Sequence, residues 1–271
     1  MPELPEVETT LRGITPHIHQ QTVAQIIIRQ PRLRWPVPLS LTQELPGQKM
    51  LASSRRGKYL LLHYTQGTLI VHLGMSGSLR ILTETTAAKT HDHVDIIFTN
   101  KVCLRYTDPR RFGCVLWTNE ALAQHPLLEK LGPEPLTAEF NGDYLYQQAQ
   151  ARKTPIKTFI MDGQIVVGVG NIYANEALFL AGIHPKRQAG KINLASYKKL
   201  VHAIKKILAQ AIKQGGTTLR NFSQSDGKPG YFKQKLKVYG RGKLPCVKCS
   251  TPLREIRQGQ RTTVYCPSCQ K

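Results

Sequence analysis

From residue 22 to residue 118 the apolar positions fall in short β-branched runs: TVAQIIIRQ, KYLLLHYT, TLIVHLGM, GSLRIL, VDIIF and KVCLRYT. Gly, Pro, Asn and Asp separate them, which is the punctuation of strands joined by turns. Many short strands joined in this way predict a sandwich or barrel. Residues 2–13 read differently, as a helix. Pro2 and Pro5 lie at or just inside its first turn, where a missing N–H costs little, and Glu3, Glu6 and Glu8 favour its positive end. Gly13 and Pro16 are expected to end it.

Beyond residue 155 the apolar spacing becomes helical. PIKTFIMD reads as one short helix, and VGVGNIYANEALFLAGI as a Gly-rich turn leading into a second, with Gly182 placed to stop it. Tyr197, Leu200, Val201, Ile204, Leu208, Ala211 and Ile212 then mark a long amphipathic helix. Ser196 or Asn193 can cap its start, and Gly215-Gly216 stops it. The stretch 119–154, which carries LGPEP, reads as a hinge with one or two short helices. GTTLRNFSQSDGKPGYF is polar and Gly-rich, so a mobile loop is expected there.

Charge narrows the partners. Lys and Arg total 38 against 17 Asp and Glu, a formal net charge of +21. An excess of that size suits a polyanion such as nucleic acid. It is uneven: Arg220 to Lys271 holds 12 Lys or Arg against only Asp226 and Glu255. No apolar run is long enough to span a bilayer, and the acidic start MPELPEVETT is not a secretory signal, so a cytosolic protein is expected. Six cysteines in a reducing compartment are not a disulfide framework. Cys103 and Cys114, in KVCLRY and GCVLW, read as buried small hydrophobes.

The other four form two corners, Cys246-x-x-Cys249 and Cys266-x-x-Cys269, separated by sixteen residues. Each corner puts two sulfurs on one side of a tight turn, and the two turns together make a tetrahedral zinc site. Four protein ligands leave no open position, so the expected zinc is structural. The intervening TPLREIRQGQRTTVY predicts a hairpin, with Arg261 just before its returning strand and placed to reach a phosphate. GVGN offers backbone N–H groups at a helix start, where Asn171 sits, and a phosphate suits that position. Arg152 and Lys153 extend the same basic footprint.

At the other end, Met1 precedes a small residue and its removal is expected, which exposes Pro2 as a secondary amine. Such an amine condenses with an aldehyde to an iminium whose positive charge needs no added proton. Near neutral pH an α-amine of pKa ~8 is roughly a tenth free base, whereas lysine at ~10.4 is below a thousandth. Glu3 beside it can exchange protons. By local pattern alone, Pro followed by Glu at a helix start reads first as ordinary capping.

PELPEVETTLRG, HLGMSGSL, YTDPRRFG, MDGQIVVGVGNIYANEALF, GGTTLRNFSQSDGKPGYF and the terminal ribbon together resemble formamidopyrimidine-DNA glycosylases, in order from Pro2 to Lys271. The resemblance implies a two-domain α+β fold: an N-terminal β-sandwich with an N-terminal helix over 1–133, a helix–two-turn–helix domain over 134–225, and a zinc-ribbon hairpin over 226–271. It implies that Pro2 attacks the sugar C1′, that Glu3 is its acid/base partner, and that Lys58, in RRGKYLLL, contacts phosphate and donates a proton in β-elimination. Arg261 matches the phosphate-binding arginine assigned to δ-elimination, and Asn171 the phosphate-binding asparagine. His91, Arg110 and Arg152 match DNA contacts, and Met75, Arg110 and Phe112 the wedge that fills the gap left by an everted base. The loop 217–231 matches the segment over the everted purine, and Asp162 reads as a cap or turn residue. The implied partner is double-stranded DNA bearing oxidised purines or abasic sites, bound by a monomer with a DNA cleft between its domains. One structural zinc and no catalytic cofactor are expected. Two rivals share parts of this pattern: an endonuclease VIII-type enzyme for oxidised pyrimidines, and a non-catalytic zinc-ribbon DNA binder. Leu4 and Val7 in PELPEVE favour the purine branch.

Overall fold

The structure, a computed structural model, describes residues 2–216 and 236–271. The described residues divide into two compact units, one holding residues 2–129 with 215–216, the other 130–214 with 236–271. The loop 217–231 lies outside the described residues.

The first unit begins with α1 (Leu4–Ile18). The helix runs past both expected stops. Ile14 and Ile18 are fully buried and continue the apolar stripe of Leu4, Val7 and Leu11, so two further anchors outweigh the cost of Gly13 and of Pro16 in the last turn. Eight strands follow: β1 (Val23–Ile28), β2 (Met50–Arg56), β3 (Tyr59–Tyr64), β4 (Thr68–His72), β5 (Ser78–Thr83), β6 (Asp92–Phe98), β7 (Val102–Thr107) and β8 (Cys114–Thr118), with a single helical turn, α2 (Leu41–Glu44), between β1 and β2. They form two antiparallel four-stranded sheets, ordered β1-β6-β7-β5 and β2-β3-β4-β8. Ile26, Leu60, Leu62, Leu69, Val71, Val94, Ile96 and Leu104 make their shared core, and α1 packs on strands of both sheets.

β2, MLASSRR, has no apolar alternation, and the sequence pattern misses it. It is an edge strand, held by its backbone ladder to β3, and past Met50 it buries little. Cys103 and Cys114 are buried in β7 and β8, and burial pushes their thiols up to about 11 and about 12, which keeps them unreactive.

A buried ionic network crosses the β6–β7 pair. Arg105 forks onto Asp95 at 2.8 and 2.8 Å and reaches Asp92 at 3.3 Å; Arg29 meets Asp95 at 2.7 Å and Arg80 meets Asp92 at 3.0 Å. Burial alone would raise the Asp95 carboxyl, but hydrogen bonds from Arg105 and Arg29 hold it below the ordinary carboxylate value. A depressed carboxylate adds stability above its unfolded pKa of about 3.9, and that contribution is lost as pH falls through the folded value. Asp95→Asn is therefore expected to cost about 3 kcal/mol at neutral pH, with the penalty shrinking below roughly pH 4. Denaturant melts at pH 7 and pH 3.5 measure this; an equal penalty at both would show that the charge pair is not its source.

The second unit holds α3 (Gly142–Ala149), α4 (Ile156–Ile160), α5 (Asn171–Ala181) and α6 (Leu194–Lys213), followed by the hairpin of β9 (Arg254–Gln258) and β10 (Arg261–Tyr265). Asn193 caps α6 by accepting the Ser196 N–H at 2.9 Å, and Gly182, at φ 71°, ends α5 in the left-handed conformation. Among the described residues no helix is long and apolar enough to cross a membrane.

Candidate functional site

Pro2 immediately precedes Glu3, which is the N-cap of α1. Glu3 donates its backbone N–H to Glu6 Oε2 at 2.9 Å, and the two residues form a capping box. Both carboxylates are buried, Glu3 at 2% and Glu6 at 1% exposure. The box fixes the backbone just after Pro2 and so sets the direction of the pyrrolidine ring.

Lys58 lies one residue earlier than a strand start. It is the second residue of the two-residue turn Gly57-Lys58 between β2 and β3, with Arg56 paired to Tyr59. Gly57 has φ 58°, the positive angle that a tight hairpin needs at its first central position. Arg55 ties this turn to α1: its Nε donates to Glu8 at 2.8 Å and its Nη1 to the Gly57 carbonyl at 3.0 Å. Burial alone would raise the Glu8 carboxyl, but hydrogen bonds from Arg55 and Arg12 hold it below its ordinary value, so it stays charged. The first half of α1 and the Lys58 turn are thus held in one assembly. His72 lies in the field of Lys58. Burial, then the charges of Lys58 and Arg34, push its imidazole down to about 4. It is neutral, and its Nδ1 accepts the Gly74 N–H at 3.0 Å.

Three of the residues expected to contact DNA sit on two neighbouring loops. Met75 lies between β4 and β5 and is 39% exposed; Phe112 lies between β7 and β8 and is 44% exposed. The Arg110 guanidinium stands 4.8 Å over the Phe112 ring. The loops touch: a Cβ on Gly74 would sit 2.4 Å from the Gly113 nitrogen. His91 is exposed just before β6, and its ring meets His93 edge-on at 6.5 Å.

In the second unit, Asn171 is the first residue of α5 and donates from Nδ2 to the Thr262 carbonyl at 3.0 Å. Arg261 is the first residue of β10 rather than the residue before it, paired with Gln258 across a turn in which Gly259 and Gln260 both have positive φ. Asn171 and Arg261 are therefore neighbours. The hairpin is held by groups that sequence reading missed. Lys157 is 1% exposed and donates to Thr263 Oγ1 at 2.6 Å and the Thr262 carbonyl at 3.2 Å. Asn175 accepts the Val264 N–H at 2.7 Å, and Glu176 accepts the N–H groups of Lys237, Val238 and Tyr239 at 2.9, 2.9 and 2.8 Å. The signal was a set of polar residues inside apolar helices, PIKTF and YANEALF. Arg152 is exposed, its backbone carbonyl accepting the Gly190 N–H at 2.9 Å. Asp162 accepts the Gln164 N–H at 3.0 Å and is a turn residue after α4.

Cys246, Cys249, Cys266 and Cys269 bring four sulfurs within 4.8 Å of one another. Measured edges are 3.9 Å for Cys246–Cys269, 3.4 Å for Cys249–Cys266 and 3.4 Å for Cys249–Cys269. A tetrahedron with metal–sulfur bonds of about 2.3 Å has edges of about 3.8 Å, so the cluster fits zinc. The Lys248 and Cys269 N–H groups point at Cys246 and Cys266 sulfurs at 3.4 and 3.4 Å, as a thiolate site requires. The four cysteines hold one structural zinc, with every coordination position taken by protein.

Residues 1–115 match the formamidopyrimidine-DNA glycosylase N-terminal domain, residues 131–223 the formamidopyrimidine-DNA glycosylase H2TH domain, and residues 243–271 a zinc finger found in FPG and IleRS. A formamidopyrimidine-DNA glycosylase of Marinobacter nauticus is 58% identical over 271 residues, covering 100% of each chain. A structure of Lactococcus lactis Fpg with abasic-site DNA superposes with a TM-score of 0.92 at 34% identity, covering 99% of both chains. Another, of the same protein with DNA containing N7-benzyl-Fapy-dG, gives 0.92 at 33% identity over 100% of both.

Proposed function

The chain belongs to the formamidopyrimidine-DNA glycosylase family, and we propose that its work divides among the residues described above. It is a DNA glycosylase of base-excision repair that removes oxidised purines and cleaves the resulting abasic site. Segment 1–133 carries the chemistry, 134–225 grips the duplex, and 226–271 delivers Arg261 to a phosphate. In the cell the enzyme is held at the nucleoid by its affinity for DNA.

Pro2 attacks C1′ of the damaged nucleotide, and the C1′–N9 bond breaks with the base as leaving group. The sugar ring opens to an iminium on Pro2. That cation acidifies C2′, and loss of the C2′ proton expels the 3′-phosphate; loss of a further proton then expels the 5′-phosphate. Glu3 exchanges protons with the sugar, and Lys58 neutralises phosphate beside the lesion while supplying a proton. Asn171 and Arg261 take a second phosphate, and Arg261 serves the last elimination. Met75, Arg110 and Phe112 fill the stack: Met and Phe are apolar, and Arg can pair with the orphaned cytosine edge. His91 and Arg152 add backbone contacts.

The observation that carries this reading is the N-cap geometry: Pro2 precedes a buried capping box that is tied through Glu8 and Arg55 to the Lys58 turn. Product analysis on duplex DNA with 8-oxoguanine opposite cytosine tests it. The wild type is expected to leave phosphate on both ends of the gap. Arg261→Ala is expected to stop mainly at the β-elimination product, slowing the second elimination roughly tenfold or more. Faster turnover of thymine glycol than of 8-oxoguanine would overturn the purine assignment.

A further inference from the structure

Asp108 has 0% exposure and no Lys or Arg paired with its carboxylate among the described ion pairs. A buried carboxylate without a cation persists only where hydrogen bonds satisfy it. Its bonds come from the two loops that carry Met75, Arg110 and Phe112, and from Tyr106 of β7. Ser76 Oγ donates to Oδ1 at 2.8 Å, the Gly113 N–H to Oδ2 at 2.9 Å, and the Tyr106 hydroxyl lies 3.1 Å from Oδ2. The Arg110 N–H is shared between Asp108 Oδ1 and Ser76 Oγ, at 3.3 Å from each. Burial and the charge of Asp108 push the Tyr106 phenol well up, so its hydroxyl keeps its proton and donates. The backbone of Asp108 ties a third segment: its N–H donates to the His91 carbonyl at 3.1 Å, and its carbonyl accepts from His93 Nε2 at 2.7 Å.

Little slack remains around this centre. A Cβ on Gly113 would fall 1.9 Å from the Tyr106 hydroxyl and 2.2 Å from the His72 carbonyl. Gly74, next to Met75, has φ 60°. One carboxylate therefore fixes the residue after Met75, the backbone of Arg110 and the residue after Phe112.

We infer that Asp108 is the positioning residue of the wedge, holding Met75, Arg110 and Phe112 ready to enter the stack before DNA arrives. The inference rests on the wedge assignment above. An exposed loop left to order on binding would have to do so while forcing a base out, and a preformed wedge avoids that entropy. The requirement is greatest when a base must be extruded, and least when the site is already abasic.

Asp108→Asn keeps the size but replaces one carboxylate oxygen by an NH2, which must face either the Arg110 N–H or the Gly113 N–H and Tyr106 hydroxyl, donor against donor. Single-turnover excision of 8-oxoguanine opposite cytosine is expected to fall roughly tenfold or more. Borohydride trapping on duplex with a pre-formed abasic site is expected to stay within about threefold. Ser76→Ala removes a single donor; it should show a smaller loss with the same selectivity, and it carries the test if Asp108→Asn does not fold. Equal losses on both substrates would reduce Asp108 to a purely structural role and overturn the inference. Full excision by both variants, while Met75→Ala and Phe112→Ala lose it, would overturn it as well. If Met75→Ala and Phe112→Ala excise normally, the wedge assignment itself fails.

Discussion

Pro2→Gly is expected to lower excision of 8-oxoguanine by roughly a thousandfold and to reduce borohydride-trapped adduct to a trace at matched times. The substitution keeps an α-amine but makes it primary. The secondary amine forms an iminium that is cationic at every pH, whereas the imine of glycine must gain a proton before it draws electrons from C2′. The ring also fixes φ, and the residue after it is tied by the Glu3–Glu6 capping box, so nucleophile direction is set by covalent geometry and one cap. Glycine keeps the cap and loses the ring. The prolyl mechanism in this form is wrong if Pro2→Gly traps as well as wild type. The mass of the trapped adduct locates the bond: it should include Pro2 without Met1, and a fraction that retains Met1, with Pro2 as an inert amide, should form none.

Local pattern and long-range packing differ in how far they could be read from the chain. The strands β1 and β3 to β8 announce themselves because both sheets bury one face against a common core, so Ile, Leu and Val recur where strands must be. β2 does not, because an edge strand is held by backbone ladder bonds that any side chain permits. The end of α1 was missed for the opposite reason: Gly13 and Pro16 are local breakers, and two buried isoleucines overrule them. At the site, Cys246, Cys249, Cys266 and Cys269 are legible from spacing because a metal imposes geometry on sequence. Pro2, Lys58 and Arg261 carry no such mark, and only the resemblance assigns them roles. The groups that brace these regions (Arg55 at the Lys58 turn, Lys157 and Asn175 behind the Arg261 strand, Asp108 under the loops of Met75 and Phe112) are single polar residues, each with at least one partner far off in sequence. No periodicity reports a pair of that kind.

The zinc ribbon should come apart when one ligand is lost, and DNA binding should go with it. Its apolar cluster comprises Phe179, Val238, Cys246, Leu253, Val264 and Cys266, and two of these are metal ligands. A core so small cannot order the segment unaided. Hydrogen bonds donated by Lys157 and Asn171 and accepted by Asn175 and Glu176 hold the ribbon to α4 and α5, at about 1 kcal/mol net each. A structural zinc contributes about 10–16 kcal/mol in comparable small modules, so the metal outweighs those bonds together. Cys266→Ala removes the ligand that is 0% exposed and leaves three thiols around a hole. It is expected to empty the site, release the β9–β10 hairpin to rapid hydrogen exchange, and weaken binding of abasic-site DNA on the order of a hundredfold through lost phosphate contacts at Arg261. The β-sandwich shares no core residue with that cluster, so its exchange protection should not change. Zinc content, exchange mass spectrometry and fluorescence anisotropy read the three outcomes separately. A variant that has lost its zinc yet binds DNA like the wild type would mean that the ribbon folds without metal, and that Arg261 is delivered by the four hydrogen-bonding side chains of α4 and α5 alone.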